Sequence, residues 1–164
     1  MSEIVIFGHP SLTSKSIDIE KVDEYTVSLA RRMIDIMYAA PGVGLAAPQI
    51  GINKNIFVFD SGEGPKVAIN PKLEDLQGDI IFSEGCLSLP GYYWDIERYE
   101  YAKISCINEK GEEIIYEGED LLGRVLQHEF DHLKGHLLLK QLKRKDRKEA
   151  LKEISIKGFP GDKI

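Results

Sequence analysis

The sequence contains few cysteines and no long apolar run, and both absences narrow the class of protein. Among its 164 residues there are two cysteines, Cys86 and Cys106, too few for the disulfide framework of a small secreted domain. No stretch approaches the ~20 apolar residues that cross a membrane, and the opening MSEIVIFGHP lacks the basic leader of a signal peptide. We therefore expect a cytoplasmic protein with no membrane segment and no structural disulfide.

The chain also has fewer basic than acidic residues. The chain has 21 Lys and Arg against 27 Asp and Glu, which gives a formal net charge of −6 at pH 7. An acidic protein is repelled by the phosphate backbone unless it carries a local basic patch. The composition therefore argues against DNA binding by the chain as a whole.

The length and the apolar content favour one domain that spans residues 1–164. With 43% hydrophobic residues the chain can bury one core, and it contains no repeat or linker. Apolar residues recur every three or four positions over residues 20–38, which predicts a helix that ends before Pro41. Alternating apolar residues instead predict a series of strands, at 56–60, 67–70, 80–82, 98–108 and 112–118.

The segment GVGLAAPQIG, residues 42–51, matches neither pattern. Its glycines and small residues disfavour a core strand, whereas its apolar content disfavours a solvated loop. Glycine lets a ligand or another backbone approach closely, and Gln49 adds an amide that can both donate and accept hydrogen bonds. The segment lacks the Lys of a phosphate-binding loop and the G-x-G-x-x-G spacing, so we do not expect nucleotide binding.

The strongest local signal is LLGRVLQHEFDHLKG, residues 121–135. Side chains four positions apart lie one above the other on a helix, so His128 and His132 can offer two imidazoles to one metal ion. Glu129 lies about 100° further around the axis, where it can act as a general base without ligating the metal. Apolar residues make the segment a buried helix with Gly135 as its stop. Two core histidines on an ordinary amphipathic helix are the alternative interpretation.

A catalytic metal commonly has three protein ligands and one open position, and Cys86 is the best candidate for the third ligand. It lies in EGCLSLPG, residues 84–91, where an acid, a glycine, a thiol and a hydroxyl crowd into a turn. Spacing alone leaves a carboxylate elsewhere in the chain as another candidate. A thiolate with two imidazoles suits Zn²⁺ and Fe²⁺ alike. Cys106, in contrast, alternates with polar neighbours in a predicted strand, so we expect it in the core.

Three separated motifs resemble the signatures of the bacterial peptide deformylase family. In the order and approximate spacing of that family, they are GVGLAAPQ at 42–49, EGCLS at 84–88 and QHEFDH at 127–132. GHPSL at 8–12 also resembles the start of family members, so the likeness covers nearly the whole chain. The short spacing between the first two motifs resembles the shorter class of these enzymes.

The resemblance implies both a fold and an activity. The fold is α+β, with antiparallel sheets packed around a central metal-binding helix and with N-terminal and C-terminal helices. The activity is hydrolysis of the N-formyl group from nascent formyl-methionyl chains, with release of formate. The implied metal is Fe²⁺, with Zn²⁺, Ni²⁺ or Co²⁺ as substitutes.

The resemblance also implies roles for single residues. The implied metal ligands are Cys86, His128 and His132. Glu129 is the implied general acid and base, and the amide of Gln49 and the backbone N–H of Leu87 are implied to hold the oxyanion. We expect substrate contacts from the residues that flank these positions, namely Val43, Gly44 and Gly85.

Two positions depart from the family pattern. Tyr93 stands where many members have an Arg that helps to hold the peptide backbone, and Lys140-Gln141 stands where Asp-Arg is usual. Neither position belongs to the metal chemistry, so the departures concern peptide binding beyond the formylmethionine.

Two other classes of function compete with this interpretation. A metallopeptidase also uses H-E-x-x-H, but its third ligand usually lies downstream, where this chain offers only His136. That residue shares the face of His132 only if the helix continues through Gly135. A non-catalytic metal- or peptide-binding module has no need for an acid at Glu129.

Residues 143–164 form a basic tail, and a narrow apolar stripe that starts one residue earlier runs into it. The stripe consists of Leu142, Ala150, Leu151 and Ile154, and the basic residues include Lys143, Arg144, Lys145, Arg147 and Lys148. A solvated terminal helix is the simplest interpretation. The functional alternative is a ribosome contact through phosphate backbone, which would suit an enzyme that acts on nascent chains.

Overall fold

The computed structural model of the protein describes residues 3–160. Within this range the α-helices are α1 (Glu24–Ala39), α2 (Asp120–Leu133) and α3 (Arg144–Lys157). The strands are β1 (Gly44–Ala46), β2 (Ile56–Phe59), β3 (Lys66–Gln77), β4 (Ile80–Gly85), β5 (Tyr93–Arg98), β6 (Tyr101–Ile107) and β7 (Glu113–Gly118). Short 3₁₀ turns occur at Pro10–Thr13, Ala47–Ile50 and Leu138–Gln141. None of the described helices is long and apolar enough to cross a membrane.

Five strands form one antiparallel sheet in the order β1-β2-β3-β6-β7, and β4 and β5 form a separate antiparallel pair. Side chains of a strand point alternately to its two faces. In β2, Ile56 and Val58 pack in the cluster that contains α1, whereas Phe57 and Phe59 pack in the cluster that contains α2. Because helices cover both faces, every residue of β2 is buried. The predicted α+β fold with antiparallel sheets around the motif helix is confirmed.

The N-terminal helix α1 begins four residues later than predicted. The side chain of Asp23 accepts a hydrogen bond from the N–H of Thr26 at 3.0 Å, so Asp23 is the N-cap and the helix starts after it. Leu29, Met33 and Met37, spaced four apart, are the buried face. The periodicity thus identified the helix and its buried side, while the cap fixed its first residue.

The glycine-rich segment contains a core strand, so the prediction that it would not form one is wrong. β1 pairs with β2 from Gly44 to Ala46. Within β1, Leu45 and Ala46 are fully buried. Leu45 packs with the α1 cluster, whereas Ala46 packs with the α2 cluster. Small residues are compatible with a strand here because the two covering helices exclude water from both faces.

Two other strand predictions need correction. β3 continues through Pro71 because the register shifts between Ile69 and Lys72, with Asn70 at φ +50°, so no regular ladder position depends on the missing N–H of Pro71. The chain also forms β5 from Tyr93, where no strand was predicted, and Arg98 is the last residue of β5 instead of the first of the next strand.

The C-terminal helix α3 is docked on the protein along one face. Three residues of the predicted stripe, Leu142, Ala150 and Ile154, are buried in one apolar cluster, while Leu151 is 39% exposed. The interpretation of the tail as merely solvated is therefore wrong for this face. Residues 161–164 of the predicted tail lie outside the described residues.

Candidate metal centre and active site

Helix α2 presents the two motif histidines side by side, as their spacing predicts. The Nε2 atoms of His128 and His132 lie 3.3 Å apart. Burial and the neighbouring His128 hold the pKa of His132 well below its usual value, which favours the neutral imidazole that ligates metals. The helix ends at Leu133 and Gly135 follows at φ +78°, a left-handed conformation that glycine adopts without strain.

The structure brings Cys86 to the same point from a different part of the fold. Cys86 follows β4 directly and starts a tight turn, in which the N–H of Leu89 donates to its carbonyl at 2.9 Å. Its Sγ lies 3.4 Å from Nε2 of His132. The candidate ligand atoms of Cys86, His128 and His132 all lie within 4.8 Å of one another. The thiol, and not a distant carboxylate, therefore completes the predicted triad.

The three groups fit one metal ion. With metal–sulfur bonds of about 2.3 Å and metal–nitrogen bonds of about 2.0–2.1 Å, tetrahedral geometry separates two nitrogens by roughly 3.4 Å and sulfur from nitrogen by roughly 3.6 Å. The observed separations of 3.3 Å and 3.4 Å are close to both values. Two of the three donor separations therefore match those that a shared ion requires, and the third pair, Cys86 and His128, lies within 4.8 Å.

A buried carboxylate orients His128. Oε1 of Glu84 lies 3.1 Å from Nδ1 of His128, and since a carboxylate only accepts, the imidazole donates from Nδ1 and keeps its Nε2 lone pair for the metal. Burial raises the pKa of Glu84, but hydrogen bonds from His128 and Arg98 outweigh burial and lower it below its ordinary value. Glu84 thus stays ionised beside the histidine.

Arg98 is the member of this site that sequence reasoning missed. Its side chain is 3% exposed, and it donates to Glu84 at 2.7 Å and to Asp131 at 3.1 Å. Gln141, one of the departures from the family pattern, donates to the same Asp131 oxygen at 3.1 Å. The available signal was indirect: acids at positions 84 and 131, inside two metal motifs, require a buried cation.

Glu129 has the surroundings of a proton-transfer group. It is 3% exposed, and within residues 3–160 its Oε1 has no hydrogen-bond partner. A Cβ at Gly44 would lie 2.5 Å from Oε2 of Glu129, so only glycine leaves room there. Burial, opposed by the charges of His128 and Arg98, raises the pKa of Glu129 to about 7. At neutral pH this carboxylate can both accept and return a proton.

Gln49 has its amide fixed in one orientation. Its Oε1 accepts from the N–H of Ala46 at 2.9 Å, which turns Nε2 toward Sγ of Cys86 at 3.6 Å and toward Oγ of Ser88 at 3.3 Å. The N–H of Leu87 forms no hydrogen bond to another backbone group within the described chain. The Gln49 amide therefore lies beside the thiol, and Gln49 and Leu87 line the same cavity as Cys86.

These groups border a cavity of about 470 Å³ that also contains the predicted substrate-binding residues Val43, Gly44 and Gly85. Tyr93 pairs with Gly85 across β4 and β5, and a Cβ at Gly85 would lie 2.6 Å from its ring. The ring of Tyr93 is 70% exposed, and Val43 and Leu121 are each 38% exposed at the same cavity. The cavity thus has a polar floor and an apolar mouth.

Comparisons with known proteins agree with this arrangement. The family model described as polypeptide deformylase matches residues 1–148. The peptide deformylase of Clostridium botulinum is 47% identical over 139 residues, which cover 85% of this chain and 95% of that protein. Peptide deformylase 1 of Clostridium acetobutylicum is 47% identical over 136 residues, which cover 83% and 91%.

Solved structures show the same similarity. The peptide deformylase of Synechococcus elongatus, in complex with actinonin, has a TM-score of 0.88 and 39% identity over 95% of this chain and 85% of that one. The Thermotoga maritima enzyme has a TM-score of 0.84 and 41% identity over 87% and 98%. With the family model, the identities and the fold in agreement, this chain belongs to the polypeptide deformylase family.

Proposed function

We propose how the residues of this chain carry out the reaction of its family. The chain is a metal-dependent amidohydrolase that removes the N-formyl group from newly synthesised polypeptides and releases formate. One observation supports the assignment of roles most directly: a buried Glu129, whose Oε1 has no hydrogen-bond partner in the described part of the chain, lies beside three clustered ligand atoms. Proton transfer and metal binding are thus assigned to different side chains.

Cys86, His128 and His132 hold the metal in this proposal, and Fe²⁺ is the proposed ion. A metal held by these groups supplies an activated water and polarises the formyl oxygen. Their donor set accepts Zn²⁺, Ni²⁺ or Co²⁺ as well, because thiolate and imidazole ligands suit all of these ions and availability helps to decide which one is bound. Glu84 and Arg98 keep His128 in the tautomer that ligates.

Glu129 moves the protons. Oε1 of Glu129 has no hydrogen-bond partner within residues 3–160, so the carboxylate is free to take the proton of the attacking water. Once protonated, it can give that proton to the amine nitrogen that leaves as the formyl bond breaks. The position of Gly44 against Oε2 keeps the carboxylate close to the cavity.

Gln49 and Leu87 stabilise the charge that develops on the formyl oxygen. The amide of Gln49 is held by Ala46, so its Nε2 is aimed before substrate arrives. Such a donor costs little reorganisation at the moment of reaction, and the loss of one typically costs about 3 kcal/mol of transition-state stabilisation. In this proposal, the preorganised oxyanion donors accelerate the reaction, and tight binding of the substrate does not.

The peptide chain after the formylmethionine lies along Val43 and Gly85 and against Tyr93 in this proposal. At position 93, many members of the family have an Arg, which offers a positive charge to the peptide backbone. The exposed Tyr93 of this chain instead offers an apolar ring surface with a hydroxyl at its end. Val43 and Leu121 extend this apolar mouth. Peptides with apolar second and third residues are therefore the preferred substrates.

The metallopeptidase alternative is less well supported. Its downstream ligand was to be His136, but α2 ends at Leu133 and the described metal cluster consists of Cys86, His128 and His132. A formate-release assay on formyl-Met-Ala-Ser, with metal analysis of protein purified without oxygen, tests the proposal. Formate release that tracks iron content supports it. Cleavage of an internal peptide bond without formate release would favour the alternative.

A ribosome contact through α3 and its first residues remains a finer proposal. Lys143, Arg144, Lys145 and Lys148 are exposed around the start of the helix. Arg147 is excluded from this basic set because it is half-buried and donates to the carbonyls of Leu139, Lys140 and Leu142. The remaining cations would meet phosphate backbone while the apolar face of α3 stays docked.

Charge reversal tests this contact better than truncation, since truncation would remove the buried Ala150 and Ile154. The triple variant Lys143→Glu, Arg144→Glu, Lys145→Glu places acids at a helix N-terminus, where the helix dipole favours them. It should lose salt-sensitive co-sedimentation with ribosomes. For such contacts, a plot of log affinity against log salt concentration has a slope of roughly −0.7 to −0.9 for each phosphate that is neutralised. A matched variant with Lys15, Lys21 and Lys110 changed to Glu should retain it; equal binding by both would rule out the contact.

A further inference from the structure

We propose that the chain after α3, residues 158–160, is a strap that positions the metal-ligand loop, residues 86–92, with Tyr92 and Phe159 as positioning residues. The loop and the strap are far apart in sequence yet share one buried cluster. The proposal rests on Cys86 as a metal ligand and adds a role for the end of the chain.

The metal-ligand loop has little regular support of its own. Within it, Leu89 donates to the carbonyl of Cys86 at 2.9 Å and Tyr92 donates to that of Leu89 at 3.3 Å. Outside it, the N–H of Phe7 donates to the carbonyl of Ser88 at 2.9 Å, and the amide of Gln49 donates to Oγ of Ser88 at 3.3 Å. Residues 86–92 lie between β4 and β5, so no strand ladder continues through them. The position of the thiol therefore depends on what packs against the loop.

The strap meets this loop at Tyr92. The hydroxyl of Tyr92 donates to the carbonyl of Gly158 at 2.5 Å, and its ring contacts Phe159 edge-on with centroids 5.6 Å apart. Phe159 also packs against Phe7 at 6.5 Å, and Trp94 stacks on Tyr92 at 5.7 Å. One hydrogen bond and two aromatic contacts thus join the strap, the loop and the N-terminal segment, and a third aromatic contact joins the loop to β5.

The direction of the strap is set by the end of α3. Gly158 closes the helix, with its N–H on the carbonyl of Ile154 at 2.8 Å, and its φ of +66° turns the chain back toward the loop. Ile154 and Ala150 are buried against the same cluster as Leu89 and Cys86. The docked face of α3 therefore anchors the strap, and the strap in turn covers the loop.

The consequence concerns the thiol. Cys86 lies six residues before Tyr92, and its Sγ must stay near 3.4 Å from Nε2 of His132 for both to bind one ion. When the strap opens, the loop gains freedom and the thiol is held less firmly against the two imidazoles. A weaker strap should raise both the reactivity of Cys86 in metal-free protein and the rate at which bound metal leaves.

The experiment compares Tyr92→Phe, which removes the hydroxyl alone, with Phe159→Ala, which removes the ring. Tyr116→Phe is the matched control because its hydroxyl also donates to a backbone carbonyl, that of Val67 at 3.0 Å, away from the loop. In metal-free protein, iodoacetamide labelling of Cys86 is measured by peptide mass, with the buried Cys106 as internal reference. In nickel-loaded protein, the transfer of metal to a coloured chelator is timed.

Tyr92→Phe should accelerate both processes about five-fold, the equilibrium factor for one ordinary hydrogen bond, and Phe159→Ala should accelerate them further. Tyr116→Phe should lower the melting temperature as Tyr92→Phe does, yet leave both rates unchanged. If Tyr92→Phe alters stability but neither rate, the strap is only structural and the proposal fails. Should Phe159→Ala not fold, Tyr92→Phe alone decides. The labelling arm needs no metal, so its result is independent of the proposed ligand role.

Discussion

The two cysteines are buried to a similar degree, but one has polar surroundings and the other apolar surroundings. Cys86 is 9% exposed and Cys106 is 6% exposed. Around Cys86 lie the amide of Gln49 at 3.6 Å and the imidazole of His132 at 3.4 Å. Cys106 points into the apolar cluster under β6, where burial raises the pKa of its thiol to about 12.

The comparison shows that burial alone does not make a functional thiol. Removing a thiol from water disfavours the thiolate, so a buried cysteine becomes inert unless polar partners or a metal compensate. Cys86 has such partners because a turn, a 3₁₀ segment and α2 converge on it, whereas Cys106 lies in an apolar cluster formed by the sheet and the apolar face of α2. Substitutions in the polar region around Cys86 should therefore affect catalysis and metal binding, whereas substitutions in the apolar region around Cys106 should affect stability alone.

The largest effect is expected at Glu129. Glu129→Ala removes proton transfer without removing a ligand, so kcat should fall by roughly 10²- to 10⁴-fold. Metal content, measured by mass spectrometry of elements, and the melting temperature should stay near those of the unchanged protein. Near-normal turnover would mean that another group transfers the proton.

The next effect concerns the buried cation behind the site. Arg98→Met leaves Glu84 and Asp131 without their partner, which should lower the free energy of unfolding by about 3–5 kcal/mol at pH 7 in urea titrations. Arg32→Met is the control: Arg32 pairs with Glu3 at 2.6 Å on the surface, with both side chains about half exposed, and should cost at most about 1 kcal/mol.

The same Arg98 variant has a pH signature. The pKa of Glu84 is lowered below its ordinary 4.5 in the folded protein, so its stabilisation is present above pH 4.5 and is lost as pH falls through the folded value. The stability difference between Arg98→Met and the unchanged protein should therefore shrink between pH 7 and pH 3. A difference independent of pH would show that packing, and not charge, accounts for the loss.

The paired cysteine variants test the comparison directly. Cys86→Ser should lower metal occupancy, whereas Cys106→Ser should keep the metal and lose about 1–3 kcal/mol of stability, because a hydroxyl is buried without a partner. Iron-loaded protein should also lose activity in air, since a thiolate that ligates iron is readily oxidised. Equal metal content in both variants would point to a different third ligand.

The smallest effect is expected from two serines, one in each region. Ser88→Ala removes the oxygen that helps to hold the Gln49 amide at 3.3 Å, and the catalytic rate should fall about two- to five-fold. Ser105→Ala, next to Cys106, removes a surface bond to Glu74 and should leave the rate unchanged. The contrast would be lost if both variants lowered the rate alike.

Local spacing carried a large part of the prediction. The separation of His128 and His132 by one helical turn is written in the sequence, as is the place of Glu129 between them. The periodicity of α1 and the alternation in β6 were likewise readable, because both depend on neighbours within a few residues. The motif resemblance then linked Cys86 to them, although 46 residues separate it from His132.

Other features needed the tertiary structure, and the physical reason is that burial is a property of the whole fold. The short strand β1 belongs to the hydrophobic core only because α1 and α2 cover its two faces. Arg98 was predicted only as the first residue of a strand, yet it is buried because Glu84 and Asp131 converge on it from two other elements. Phe159, in an apparently solvated tail, is 8% exposed because Tyr92 lies beneath it. The sequence by itself determined which side chains could do the chemistry, while tertiary packing decided which groups hold those side chains in place.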